Sequence, residues 1–253
     1  MRNEQEQGRI DVQRLDPPPA GFPDCTACPY LLTGTPAICS SCVASGEPDV
    51  VGPLCGLCGE PLRGAQECPN TVCTLEDPWF SRIHTVSSRS EDVWTAVCRY
   101  KYDEDRAWAE VLGRLLVGHL DEHRAVFARY DVITTGALYV GPRARRLWDH
   151  LRLVLDAAQT AGPEWPFVPD VITKSGPTGQ FLGRGVETRR AIAEHSLRAA
   201  LAVPEPERVA GRRVLVVDDV YSEGFSLREM ARVLRLAGAE EVAGLVFARK
   251  KGG

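Results

Sequence analysis

The sequence predicts an α/β domain with a mostly parallel sheet, preceded by a small cysteine-rich module. Three observations carry that prediction. The first is the unbroken aliphatic run Val214-Leu215-Val216-Val217, the pattern of a strand buried on both faces. The second is the alternation of strand-like and helix-like segments that begins near Trp79. The third is an abrupt change of composition between Cys25 and Cys73, where cysteine, glycine and proline dominate and no helical periodicity appears. Such a segment buries too little apolar surface to fold alone and needs a staple. A chain of 253 residues accommodates one sizeable core and one accessory module. The expected boundaries are a disordered lead-in over 1–20, charged and then proline-rich, a double ribbon over 21–78, and the α/β domain over 79–253.

The elements follow in order. Ser90-Glu91-Asp92 reads as a helix N-terminus, because acids in the first turn suit the helix dipole. Asp105 is placed to cap the next helix, on which Trp108, Leu112, Leu115, Leu116 and Leu120 share one face. Asp131-Val132-Ile133 and Leu138-Tyr139-Val140 read as strands, and Pro142 is placed to open the helix that carries Leu147, Leu151, Val154 and Leu155. Val171-Ile172-Thr173 reads as a short strand. The glycine-rich stretch Thr178 to Gly185 reads as mobile, and Glu187 to Leu201 as a helix. After the aliphatic strand, Ser226 to Leu236 should be a helix ended by Gly238, and Val242 to Phe247 a closing strand.

Charge and location narrow the function classes. A net charge of -4 gives no general attraction to nucleic acid or an anionic membrane. The N-terminal Met1 to Gln7 is polar and lacks the apolar core of a signal peptide, and no run approaches the roughly 20 apolar residues of a membrane span. The cytoplasm is the expected location, without membrane contact, and clustered cysteines there mean metal more often than disulfides. The cations are nearly all arginine; lysine occurs only at Lys101, Lys174, Lys250 and Lys251.

Eight of the nine cysteines fall into close pairs: Cys25 with Cys28, Cys39 with Cys42, Cys55 with Cys58, and Cys68 with Cys73. Eight thiolates suffice for two tetrahedral structural zinc sites, and the tight spacing lets both sulfurs of a pair face one ion. Adjacent pairs sharing an ion is the simplest order; an interleaved order is also open. Replacing Cys58 with Ser is expected to loosen the ribbons and leave the α/β domain folded. The ninth, Cys98, reads as a core residue.

Asp218 and Asp219 end the aliphatic strand and are followed by Val220-Tyr221-Ser222-Glu223-Gly224-Phe225-Ser226 and a helix. Ligands of open α/β sheets bind where strand ends meet helix N-termini, and backbone N–H groups there suit a phosphate. Two acids beside a phosphate suit sugar hydroxyls and a magnesium ion. A carboxylate at Glu223, beside a phosphate, costs energy unless its side chain turns outward. His150 and His195 show no partners in the sequence.

The stretch Val214 to Leu227 resembles the fingerprint of type I phosphoribosyltransferases. That resemblance implies a sheet of their kind, with Asp218 and Asp219 as the catalytic acids on the ribose hydroxyls of phosphoribosyl pyrophosphate (PRPP). It also implies Ser222, Glu223, Gly224, Phe225 and Ser226 as the cradle of its 5′-phosphate, with magnesium accompanying PRPP. Paired cysteines ahead of such a domain resemble the ComF family, which is associated with DNA uptake. Tyr100 to Arg106, Leu112 to Leu116 and Arg249 match that family as well. The region Leu138 to Pro142 and Arg145 to His150, where phosphoribosyltransferases bind pyrophosphate, departs from the ComF pattern; Arg143, Arg145 and Arg146 could supply charge. The resemblance implies PRPP or another ribose phosphate as ligand, transfer to an unnamed acceptor, and a helicase or competence-machinery protein as partner. The alternative is a non-catalytic sensor or assembly factor whose zinc ribbons dock a helicase or single-stranded DNA. Direct DNA contacts by the cysteine segment would be few, since Arg63 is its one cation.

Overall fold

The aliphatic run forms the centre of a parallel sheet. A computed structural model describes residues 52–62, 67–87, 91–102, 106, 108–144, 147–179, 181 and 183–249. The expected lead-in, the first two cysteine pairs, Ser90, Asp105, Arg145 and Arg146 therefore lie outside the described residues. Strand β1 covers Ile83–Ser87, β2 Val132–Thr135, β3 Thr173–Lys174, β4 Leu201–Ala202, β5 Arg213–Tyr221 and β6 Glu241–Arg249. Four of them pair in the order β1-β6-β5-β2, every pairing parallel, while β3 and β4 form a small antiparallel pair.

Residues alternate across the sheet as strand geometry requires. Val214, Val216, Val242 and Val246 pack with helix α5 (Phe225–Leu236), through Phe225, Leu227, Met230 and Leu234. Leu215, Val217, Ala243 and Leu245 pack with the other helices. These are α1 (Glu91–Tyr102), α2 (Trp108–Glu122) and α3 (His150–Ala161). Helices α2 and α3 approach so closely that a Cβ on Gly113 would lie 2.7 Å from the Cβ of Ala157. No helix among the described residues is long and apolar enough to cross a membrane.

Several expectations are corrected. Strand β1 was not foreseen. Leu138 to Val140 form no strand, and Pro142 sits in a turn whose next residue, Arg143, has φ +63°. Helix α3 starts only at His150, because the Asp149 carboxylate accepts the Arg152 N–H at 2.9 Å and fixes the start there. Leu147 lies ahead of that cap and is exposed, whereas Leu151, Val154 and Leu155 are buried as expected. The helix expected over 187–201 runs as α4 (Val186–Ile192), then a π-helical turn Ala193–Leu197 and a last turn Arg198–Ala200. Leu201 pairs in β4 instead.

The acids do not end β5, which runs on to Tyr221. The ladder to β6 continues as far as Tyr221 opposite Arg249, but β2 stops with Thr135 opposite Val217. Asp218 and Asp219 thus follow the last residue that β2 pairs, which leaves that side of β5 open at the acids.

Candidate functional site

At the C-terminal ends of β2 and β5 lies a cleft of about 720 Å³. Asp218, Asp219, Ser222, Glu223, Gly224, Phe225 and Ser226 all line it. The chain turns into α5 through Gly224, whose φ of +85° is in the left-handed region. A Cβ there would also meet the Tyr221 hydroxyl at 2.5 Å, so the loop rests on the Tyr221 ring.

The two acids are in different surroundings. Asp218 is half-buried, and its Oδ1 accepts the N–H of Asp219 at 2.8 Å. Asp219 is buried; its Oδ2 receives His150 Nε2 at 2.7 Å and the Lys101 ammonium at shorter range still. Burial pushes the Asp219 carboxyl up, but Lys101 and His150 outweigh it and hold the group well below the usual carboxylate range. His150, which seemed without partners, is thus a buried neighbour of the site. Its carbonyl accepts the Tyr100 hydroxyl at 2.6 Å, and Tyr100 and Trp148 pack against its ring. His195 is exposed and, among the described residues, bonds its own helix, Nδ1 lying 2.9 Å from the Ala191 carbonyl.

Glu223 is neutralised rather than turned loose: Arg189 of α4 holds it at 2.6 Å. Arg143, Lys174, Arg184 and Arg189 give the cleft a cationic wall. Desolvation lowers the Lys174 ammonium from its ordinary range, and Thr178 Oγ1 and Arg189 Nε are buried without a hydrogen-bond partner. Sequence reasoning missed Lys101, His150 and Lys174. One signal was present: in an arginine-rich chain, two of the four lysines line this cleft. Cys98, expected in the core, is only partly buried and lines the cleft too.

On the far side of Tyr221 lies the second half of the cysteine module. The sulfurs of Cys55, Cys58, Cys68 and Cys73 all lie within 4.8 Å of one another, so the last two pairs converge as adjacent pairs. Thiols so close cannot all ionise without a cation. The hydrogen bond from Cys73 pulls the Cys58 thiol down to about 5, while burial pushes Cys68 up to about 12 and Cys73 is raised further, chiefly by Cys58. Four sulfur donors at tetrahedral reach fit a zinc ion.

Residues 170–253 match the family model of the phosphoribosyl transferase domain. The resemblance to the ComF family holds. Over 194 residues the chain is 27% identical to competence protein F of Haemophilus influenzae, covering 75% of this chain and 82% of that protein. Over 215 residues it is 25% identical to the DNA utilization protein YhgH of Escherichia coli, covering 84% and 90%. Among solved structures, the glutamine PRPP amidotransferase from B. subtilis aligns at 24% identity and a TM-score of 0.36. That alignment covers 56% of this chain and spans about a quarter of the enzyme, 26%.

Proposed function

We propose that the cleft binds PRPP or another ribose 5-phosphate, and that the 79–253 segment is a phosphoribosyltransferase-like domain. One observation carries this reading: the acidic end of β5 and its loop, Asp218 through Ser226, line one cleft, and Arg189 removes the charge conflict that Glu223 would pose to a phosphate. The amides of Ser222 to Ser226 would hold the 5′-phosphate, with the N-terminus of α5 behind them. Asp218 would take the ribose hydroxyls. Asp219, committed to Lys101 and His150, would fix the charge and position of the strand end. Magnesium entering with PRPP would neutralise the departing pyrophosphate.

A positive charge that develops at the anomeric carbon during transfer gains from fixed carboxylates nearby. One observation favours a second reading, a non-catalytic ribose-phosphate sensor: Lys101 neutralises one of the two acids. Release of pyrophosphate from PRPP by the purified protein would decide for transfer. The Cys55–Cys73 quartet would hold one structural zinc, and Cys25, Cys28, Cys39 and Cys42 a second. A role in competence or DNA utilisation is extended to this chain from the names of its relatives, and DNA uptake with a protein partner from the family resemblance.

The test is thermal. PRPP with magnesium at a hundred times its dissociation constant should add about 2.7 kcal/mol, a rise of roughly 5–10 °C for a domain of this size. Asp218→Asn keeps shape and removes charge, so it should abolish the rise. An unresponsive wild type, or a variant that responds equally, contradicts the reading.

A further inference from the structure

The phosphate loop and the cysteine quartet meet through one residue. Asn70 lies between Cys68 and Cys73, where its backbone N–H bonds the Cys68 sulfur and its carbonyl accepts the Cys73 N–H at 2.9 Å. Its Oδ1 accepts the Val72 N–H at 3.1 Å and so starts the turn that carries Cys73. Its Nδ2 leaves the module altogether. It donates to the Tyr221 hydroxyl at 3.2 Å and to the Ser222 carbonyl at 3.3 Å. Tyr221 is the ring on which Gly224 rests, and Ser222 is the first residue of the loop.

A second strut runs beside the first. The Arg249 guanidinium lies over the Tyr221 ring, 5.1 Å from its centroid, and binds Glu60, which lies between Cys58 and Cys68, at 3.0 Å. Its Nε donates to Thr85 Oγ1 at 3.0 Å. Tyr221 is 3% exposed, so neither strut competes with bulk water for the ring.

We propose that Asn70 is a positioning residue for the ligand loop, and that metal held by Cys55, Cys58, Cys68 and Cys73 sets how well that loop binds a phosphate. Metal fixes Cys68 and Cys73, these fix the Asn70 backbone, and the Asn70 amide fixes Tyr221 and Ser222. Without metal the peptide between the two cysteines is free to turn, and the loop loses its anchor. Binding of a sugar phosphate thereby becomes conditional on the state of four thiols that never touch it. This inference rests on the proposed ribose-phosphate site for its ligand, but the coupling is readable without one.

The experiment compares the full chain with Asn70→Ser. Serine keeps the turn-starting acceptor and is too short to reach Tyr221. Metal content, amide hydrogen exchange over residues 221–226, and ribose 5-phosphate binding by calorimetry are measured on both, and exchange also on wild type stripped with a chelator. The variant should keep its metal, exchange faster over 221–226 and bind about tenfold more weakly, as loss of two hydrogen bonds implies. Stripped wild type should show the same faster exchange. Unchanged exchange in either sample, or loss of metal from the variant, overturns the proposal. A wild type that ignores ribose 5-phosphate sinks the ligand assignment instead, while the exchange data still decide the coupling.

Discussion

Cys58→Ser is expected to lower the melting temperature of the whole described fold by more than about 10 °C, in one transition. The sequence suggested two independent modules, and the packing does not support that. Cys58 is fully buried, and it shares a core with Val72, Phe80, Tyr221, Phe225 and Val246, which belong to the ribbon, the sheet and α5. The main chain is joined as well. The Ile83 N–H of β1 donates to the Leu57 carbonyl at 2.8 Å, and Arg82 Nε to the Gly56 carbonyl at 3.3 Å. Structural zinc contributes roughly 10–16 kcal/mol in isolated finger peptides, so even a fraction passed to β1 and Tyr221 is large beside a domain's net stability. Differential scanning calorimetry checks this. Two transitions, the upper one at the wild-type temperature, would restore the picture of independent modules.

The second large effect is expected at Asp219. Asp219→Asn leaves the Lys101 ammonium and the His150 ring facing an amide instead of a carboxylate, and removing one partner of a buried ion pair costs about 3–5 kcal/mol. A drop of roughly 10 °C follows for a domain of this size. Asp218→Asn, on a half-buried side chain, should cost far less. Adding Lys101→Met to Asp219→Asn should recover part of the loss, because no unpaired charge then remains. Denaturant melts of these variants, with Lys101→Met alone to close the cycle, give the coupling directly. Equal stability of the two Asn variants would show that the acids are not divided between anchoring and ligand binding.

What the sequence made legible was local. The aliphatic run of β5, the apolar face of α2, the start of α5 to within a residue and the spacing of the cysteines all declare themselves within a few residues. What it hid was long-range or disguised. Nothing local couples Lys101 and His150 to Asp219, since the three come from α1, α3 and β5. Strand β1 reads as polar, because His84 and Thr85 interrupt its pattern. Yet His84 is packed edge-on against Phe127, and burial lowers its imidazole to about 4, so it behaves as an apolar residue. The trio Leu138-Tyr139-Val140 misled in the opposite direction. It is apolar enough for a strand, but Leu138 and Tyr139 line the cleft and Val140 is exposed. Likewise the reach of Asn70 to Tyr221 appears only in three dimensions.

The central claim is that the acidic end of β5 and the loop after it hold a ribose phosphate. A crystal structure of the full chain grown with PRPP and magnesium tests this most directly. The account predicts the 5′-phosphate on the amides of Ser222 to Ser226 and the ribose hydroxyls within hydrogen-bond reach of Asp218, with Lys101 and His150 still on Asp219. A ligand bound elsewhere, or a cleft left empty at saturating PRPP, would contradict it.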